Sequence, residues 1–339
     1  MSWQVETSKY TLQFIEAGGT SRGVMYDRTV WYIKLYREGD KHSGLGECAP
    51  LFGLSIESEE LVEDALEQLK LMPQMFIDDL TLLKHIPSLR FALEMALIDY
   101  KNGGRQKWFD TPFYKGNTPI QINGLIWMGS EKEMRKRIEN KLEQGFSCLK
   151  LKIGAIDFHK EIALLEKLRE EFPSSQLEIR LDANGAFLPE VALEKLTILS
   201  KIGIHSIEQP IEADQLASMR ELCQLSPIDI ALDEELIGIT EYEDKLELLK
   251  EIKPQYIIIK PTLLGGFEAS KEWIDIAESL GIGWWITSAL ESNIGLDAIA
   301  QWTSTFDLKM PQGLGTGQVF SNNKQSNLYL EGEKLYHKV

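Results

Sequence analysis

Two hydrophobic periods divide this chain. Near its start, Tyr10-Thr-Leu-Gln-Phe-Ile15 and Val30-Trp-Tyr-Ile-Lys-Leu-Tyr36 alternate in strand fashion, which predicts antiparallel strands joined by a loop around Gly18-Gly19 and Gly23. Ser43-Gly-Leu-Gly-Glu-Cys-Ala-Pro50 reads as a short strand running into a glycine-containing loop. The period then lengthens. Apolar residues at 61, 62, 66, 69 and 71 predict a helix over Ser58 to Leu71. A second helix is expected over Ser88 to Tyr100, opening on a serine cap and stopping before Gly103-Gly104. Strands first and helices after make an α+β unit over residues 1–112.

From Ile120 onward strand and helix alternate. Strands are expected at Gln121 to Met128, Cys148 to Gly154, Leu177 to Gly185, His205 to Pro210, Ile228 to Glu234, Tyr256 to Pro261, Trp284 to Glu291 and Phe306 to Met310. Between them fall a charged helix ending at Gln144 and helices over 157–172, 189–203, 214–222, 240–252, 267–281 and 295–303. Near-continuous apolar strands suit a parallel sheet covered on both faces. An open doubly wound sheet would carry a glycine-rich phosphate loop after its first strand, and none is present. The expected fold is therefore α/β, a modified TIM barrel of (β/α)7β form over 113–317, with residues 318–339 returning to the N-terminal unit.

Charge and composition narrow the partners. A net charge of −16 leaves no surplus of Lys and Arg to neutralise a nucleic acid. The N-terminus lacks the basic and apolar regions of a secretory signal, and no run is long enough to cross a bilayer. Three cysteines, Cys48, Cys148 and Cys223, have no paired spacing, which suits a reduced, cytoplasmic chain without a thiolate metal cage.

The chemistry sits at the strand ends. Asp182, Glu208 and Asp233 close three successive apolar runs, 26 and 25 residues apart, about one strand–helix unit each. Lys150 and Lys152 precede them and Lys260 follows. Each carboxylate alone reads equally well as a helix cap or loop charge; three in step at strand ends read as a barrel active site. Hard oxygen ligands without His or Cys select Mg2+, with Mn2+ as a possible substitute. Such an ion would polarise a substrate carboxylate and stabilise the charge left by removal of its α-proton. Residues two apart on a strand share a face, so Lys150 and Lys152 both point inward if Leu149, Leu151 and Ile153 face the helices.

These motifs, Lys150-Leu-Lys152, Asp182-Ala-Asn184, Glu208-Gln-Pro210, Asp233-Glu234 and Lys260-Pro261, resemble the enolase superfamily in order over nearly the whole chain. The muconate-lactonizing subgroup, with a lysine on each side of the site, is the most similar. Within it, Gly46-Glu-Cys-Ala-Pro-Leu51, Gly53-Leu-Ser55, Thr287-Ser-Ala-Leu-Glu-Ser292 and Gly313-Leu-Gly-Thr-Gly317 resemble the branch that forms o-succinylbenzoate for menaquinone. The resemblance implies an α+β capping domain over the barrel and Mg2+ on Asp182, Glu208 and Asp233, supported by Asn184 and Glu234. Lys152 would be the acid/base of a syn dehydration, Lys260 would stabilise the enediolate, and Lys150 would hold the substrate carboxylate and ion.

For the rest of the substrate the same resemblance points to Ser288, to the amides around Gly315 and Thr316, and to Arg22, Met25 and Phe52 on capping loops at 18–27 and 51–56. Arg180 points inward with Asp182 and either adds positive potential or makes a structural ion pair. Glu291 lines the substrate end or, preferably, braces the loop. Trp284 and Trp285 read as barrel packing. The rival activities are an N-acylamino acid racemase, a dipeptide epimerase or a muconate cycloisomerase. Dipeptide epimerases usually carry Asp-x-Asp where this chain has Gly315-Thr-Gly317, which disfavours that rival. An inactive binding homologue is the alternative outside enzymology.

Overall fold

The computed structural model describes residues 2–20, 23–154 and 156–339. Its first strands, β1 (Trp3–Thr20) and β2 (Gly23–Arg37), form one long hairpin, and β3 (Gly44–Cys48) extends that antiparallel sheet. The 18–27 segment, expected as a loop, is largely ladder: Gly18 pairs with Met25 and Gly19 with Val24, past an irregularity that follows Gln13. Three helices follow, α1 (Glu59–Leu71), α2 (Pro73–Asp78) and α3 (Pro87–Lys101). Ser58 caps α1 by accepting the Leu61 N–H.

Ser88 does not cap α3. Pro87 fits the first helical turn, so the cap falls two residues earlier, on Ile86, and Ser88 is buried inside the helix. Its N–H donates to Glu57 and its hydroxyl lies 3.2 Å from Cys48 Sγ. The helix lies directly on β3, because any Cβ on Gly46 would fall 1.9 Å from the Ala92 carbonyl.

After β4 (Ile120–Gln121) come seven parallel strands: β5 (Gly124–Ile126), β6 (Cys148–Lys152), β7 (Glu178–Asp182), β8 (Ser206–Glu208), β9 (Asp229–Leu232), β10 (Tyr256–Ile259) and β11 (Gly283–Ile286). Helices α4 (Glu131–Glu143), α5 (Phe158–Glu171), α6 (Pro189–Ser200), α7 (Leu216–Leu225), α8 (Tyr242–Ile252), the single turn α9 (Pro261–Leu264), α10 (Phe267–Ser279) and α11 (Asn293–Thr303) lie between or after them. Gln312 and Gly313 close the barrel through parallel bridges to Ile122 and Thr287.

That closure corrects the expected last strand at Phe306 to Met310. Phe306 packs edge-on against Trp284 and Trp302, so the apolar residues there serve helix packing and the strand is two residues further on. The segment read as one strand from Gln121 also splits: β5 joins the barrel, while β4 pairs with a C-terminal hairpin, β12 (Leu328–Glu331) and β13 (Lys334–His337). Before that hairpin, the chain touches β1, with Ile15 N–H donating to the Val319 carbonyl at 2.9 Å. Among the described residues no helix is long and apolar enough to cross a membrane.

The main core lies between barrel and helices. Leu149, Leu151, Ile179, Leu181, Ile207, Ile230, Leu232, Ile257 and Ile259 are buried in it from the strands. The alternate strand positions therefore point to the barrel axis, and there the chain places its charges.

Candidate active site

Register fixes the charged cluster. Lys152 is paired with Asp182 on the next strand, and Asp182 with Glu208 on the one after. Asp233 follows the end of β9 and Lys260 the end of β10. All six groups, counting Lys150, are buried, with Asp182, Glu208 and Asp233 at most 2% exposed. Lys152 and Lys260 extend from the second and sixth positions in the barrel order, so they face each other across its mouth.

Ion pairs knit the cluster. Lys150 Nζ lies 2.9 Å from Asp182 Oδ2 and also bonds Glu208 Oε2. Lys152 Nζ donates to Asp182 Oδ2 at 2.7 Å and to Asn184 Oδ1 at 2.8 Å. Lys260 Nζ bonds Asp233 and lies 3.7 Å from Glu208 Oε1. Burial opposes the charge on Asp182, yet Lys150, Lys152 and Lys260 outweigh it and hold its carboxyl well below the usual range. For Glu208, burial and the neighbouring Asp182 win and push the carboxyl up to about 7. Asp233 is raised chiefly by burial. Burial also opposes the charge on Lys150 and Lys260, but their carboxylate partners keep both above the ordinary ammonium value.

Among the described residues no group of three or more His, Cys, Asp or Glu is arranged as a ready-formed ion cage; lysine ammoniums lie against the carboxylates. The donor set still fits a hard divalent cation. It offers only oxygen, from three adjacent strand ends, and Glu208 Oε1 is buried without a hydrogen-bond partner.

Neighbouring residues hold these carboxylates in place. Asn184, at φ +44°, donates its N–H to Asp182 Oδ1 and its amide to Glu234 Oε1 at 3.0 Å. Gln209, which sequence reading quoted only as part of a motif, is fully buried at φ +38°. Its Oε1 accepts the Asp233 N–H and its Nε2 donates to Glu235, so it fixes where Asp233 leaves its strand.

The lysines and Asn184 line a cavity whose other wall is uncharged: Leu125 of β5 with Asn123 and Trp127 at its two ends, then Thr287 to Leu290, Gly313, Gly315 and Thr316. Met25, Leu51 and Leu54 cover it from the N-terminal unit. Ser288 Oγ and Thr316 Oγ1 share a 2.5 Å hydrogen bond. Expected substrate contacts Ser288, Gly315, Thr316 and Met25 are thus brought together. Phe52 is not; it is 41% exposed and packs edge-on against Trp31. Arg22 lies outside the described residues.

Arg180 does not reach the cavity. It sits deeper in the barrel, where it donates to Glu178 at 2.7 Å and to the Pro311 carbonyl and stacks on Trp285. Of its two readings, the structural ion pair is the one the geometry fits. Glu291 braces its loop, accepting from Thr262 and from the Ala289 N–H. Asn123, Leu125 and Trp127 were missed, although their period-two spacing on one strand was the available signal.

The chain belongs to the enolase superfamily. A family model described as "Enolase C-terminal domain-like" matches residues 133–319, and one described as "MenC, N-terminal domain" matches residues 8–100. The o-succinylbenzoate synthase of Desulfotalea psychrophila is 48% identical, over 96% of this chain and 96% of that protein. The crystal structure of MenC from the same organism superposes with a TM-score of 0.88 at 43% identity, covering 99% of this chain and 100% of that one. A dipeptide epimerase from Enterococcus faecalis, complexed with Mg and the dipeptide L-Leu-L-Tyr, shares the fold at a TM-score of 0.84 and 22% identity, covering 99% of this chain and 96% of that one.

Proposed function

We propose that this chain is an o-succinylbenzoate synthase, a lyase that dehydrates 2-succinyl-6-hydroxy-2,4-cyclohexadiene-1-carboxylate in menaquinone biosynthesis. The single observation that carries the reading is 48% identity to a curated synthase over 96% of both chains. The site supplies compatible chemistry. Residues 1–112 serve in this reading as the capping domain and 113–317 as the catalytic barrel, in a cytoplasmic enzyme for a small carboxylate.

Asp182, Glu208 and Asp233 would hold Mg2+, which supplies positive charge beside the substrate carboxylate as the α-proton leaves. Asn184 and Glu234 keep those ligands oriented. Lys150, already bonded to Asp182 and Glu208, steadies the carboxylate end. Lys152 Nζ takes the α-proton of the ring carbon that bears the carboxylate. The same ammonium then returns a proton to the hydroxyl departing from the adjacent carbon, so that water leaves and the ring becomes aromatic. Lys260, across the cavity, stabilises the negative charge that develops in between. Ser288, Gly315 and Thr316 face the succinyl side chain, and Met25, Leu51 and Leu54 exclude water above it.

Two lysines on opposite sides of an α-carbon also suit racemisation. The described residues lining the cavity include no Asp or Glu to receive a dipeptide ammonium, which favours the synthase over an epimerase. The test offers the cyclohexadiene carboxylate, N-succinylamino acids and dipeptides, each with and without Mg2+. Mg2+-dependent loss of the diene absorbance, far faster than any racemisation, is expected. Turnover of amino acid derivatives alone would refute the synthase.

A further inference from the structure

The loop at 287–292 lines the cavity through Thr287, Ser288, Ala289 and Leu290, yet its shape is not set by the barrel alone. Three charged side chains converge behind it: Arg28 is 4% exposed, and Glu47 and Glu291 are fully buried. Arg28, on β2, donates to the Ala289 carbonyl and, at its other nitrogen, to the Ala49 carbonyl. Glu291 takes the N–H of the same Ala289 at 2.8 Å, so both backbone groups of that residue are gripped.

Glu47, on β3, accepts the Ser292 N–H at 2.7 Å, the Ser292 hydroxyl at 2.5 Å and the Gly295 N–H at 2.7 Å. It thereby satisfies free donors at the start of α11, where a carboxylate is also favoured by the helix dipole. Only glycine fits at 295, since a Cβ there would fall 2.8 Å from Glu291 Cβ and 3.0 Å from Glu47 Oε2. Between the two grips Leu290 stands at φ +64°, a conformation that a leucine keeps only when its surroundings impose it.

We propose that Arg28 and Glu47, both on strands of the N-terminal unit, are positioning residues that set the shape of the 287–292 loop and so the affinity of the site for the substrate's side chain. The capping unit then acts as part of the pocket's framework as well as its cover. The hydrogen bonds of Arg28 and Glu47 reach backbone groups and Ser292 and none of the lysines or carboxylates of the charged cluster, so the clamp bears on binding, and its loss raises KM while sparing kcat. This rests on the synthase reading only in naming the side chain as succinyl.

The test uses Glu47→Gln, which keeps the shape of the side chain while removing its charge and one acceptor. Ser292→Ala removes one donor to the same carboxylate and serves if the first variant fails to fold. Hydrogen–deuterium exchange on the full chain should show 287–296 amides opening about tenfold faster than in the wild type, with β6 unchanged. KM for the cyclohexadiene carboxylate should rise about tenfold with kcat within about threefold. Unchanged exchange at 287–296 would overturn the clamp. Faster exchange with unchanged KM would reduce it to a stabilising contact and overturn the positioning role. If the wild type does not turn the substrate over, the synthase reading falls, and the exchange result alone still decides the clamp.

Discussion

The two walls of the cavity are built on different principles. One is made at the ends of β6 to β10, where Lys150, Lys152, Lys260 and Asn184 line it and Asp182, Glu208 and Asp233 stand behind, each paired with a lysine. The other is made by β5, the 287–292 loop and Gly313 to Thr316, and presents hydroxyls, an amide and apolar side chains. Its charges stand behind the surface, in Arg28, Glu47 and Glu291. Buried charge is costly unless paired, so the first wall tolerates little change and suits proton transfer. The second can vary its lining at small cost, which suits recognition of whatever the ring carries.

The sharpest way to break that contrast is at the charged wall. Lys152→Ala should lower kcat by roughly 10⁴-fold, with the fold and Mg2+ binding retained, as followed by loss of the diene absorbance. Substantial residual turnover would remove Lys152 as the acid/base. Asp233→Asn should come next, weakening Mg2+ and activity together by roughly 100-fold, as read from Mg2+ titration of the thermal midpoint. Wild-type Mg2+ dependence would refute it as a ligand. The clamp variants, with their tenfold effect on KM, belong to the recognising wall.

The smallest effect lies at the seam between the N-terminal unit and the barrel. Glu94, on α3, accepts the N–H groups of Phe267 (2.6 Å) and Glu268 (3.1 Å) at the start of α10. Burial pushes its carboxyl up to about 7 from an ordinary 4.5. The folded chain thus holds this proton more tightly than the unfolded one. Its stabilising contribution is complete below about pH 4.5 and is lost as pH rises through about 7. Glu94→Gln removes that titration, so stability relative to the wild type should shift in the variant's favour by about 1–3 kcal/mol between pH 5 and pH 8. Denaturant midpoints at the two values check this, and a pH-independent difference would contradict it.

The charged wall was legible in the sequence because register and period act together there. Lys152, Asp182, Glu208, Asp233 and Lys260 recur once per strand–helix unit, with Lys150 two residues before Lys152, and hydrogen-bonded parallel strands turn that spacing into adjacency. Arg180 shows the limit of the same logic. Its parity is right, but two residues toward the strand start is one layer down the barrel, where Glu178 and Pro311 engage it. Ser88 misled because serine is a good cap in isolation, while Pro87 settles the start of the helix.

The recognising wall was harder to read. Two of its pieces, Arg28 and Glu47, lie more than two hundred residues from the loop near 290 and meet it only in the fold. The eighth strand has just two paired residues, Gln312 and Gly313, too few for a periodic signal, whereas the aromatic segment before it offered a false one.

The most direct test of the charged wall as an ion site is anomalous diffraction from crystals grown with Mn2+ in place of Mg2+. The account predicts one strong peak within about 2.5 Å of carboxylate oxygens from Asp182, Glu208 and Asp233 together, with the ammonium of Lys150 displaced from between Asp182 and Glu208. A peak bound elsewhere, or none at saturating Mn2+, would contradict it.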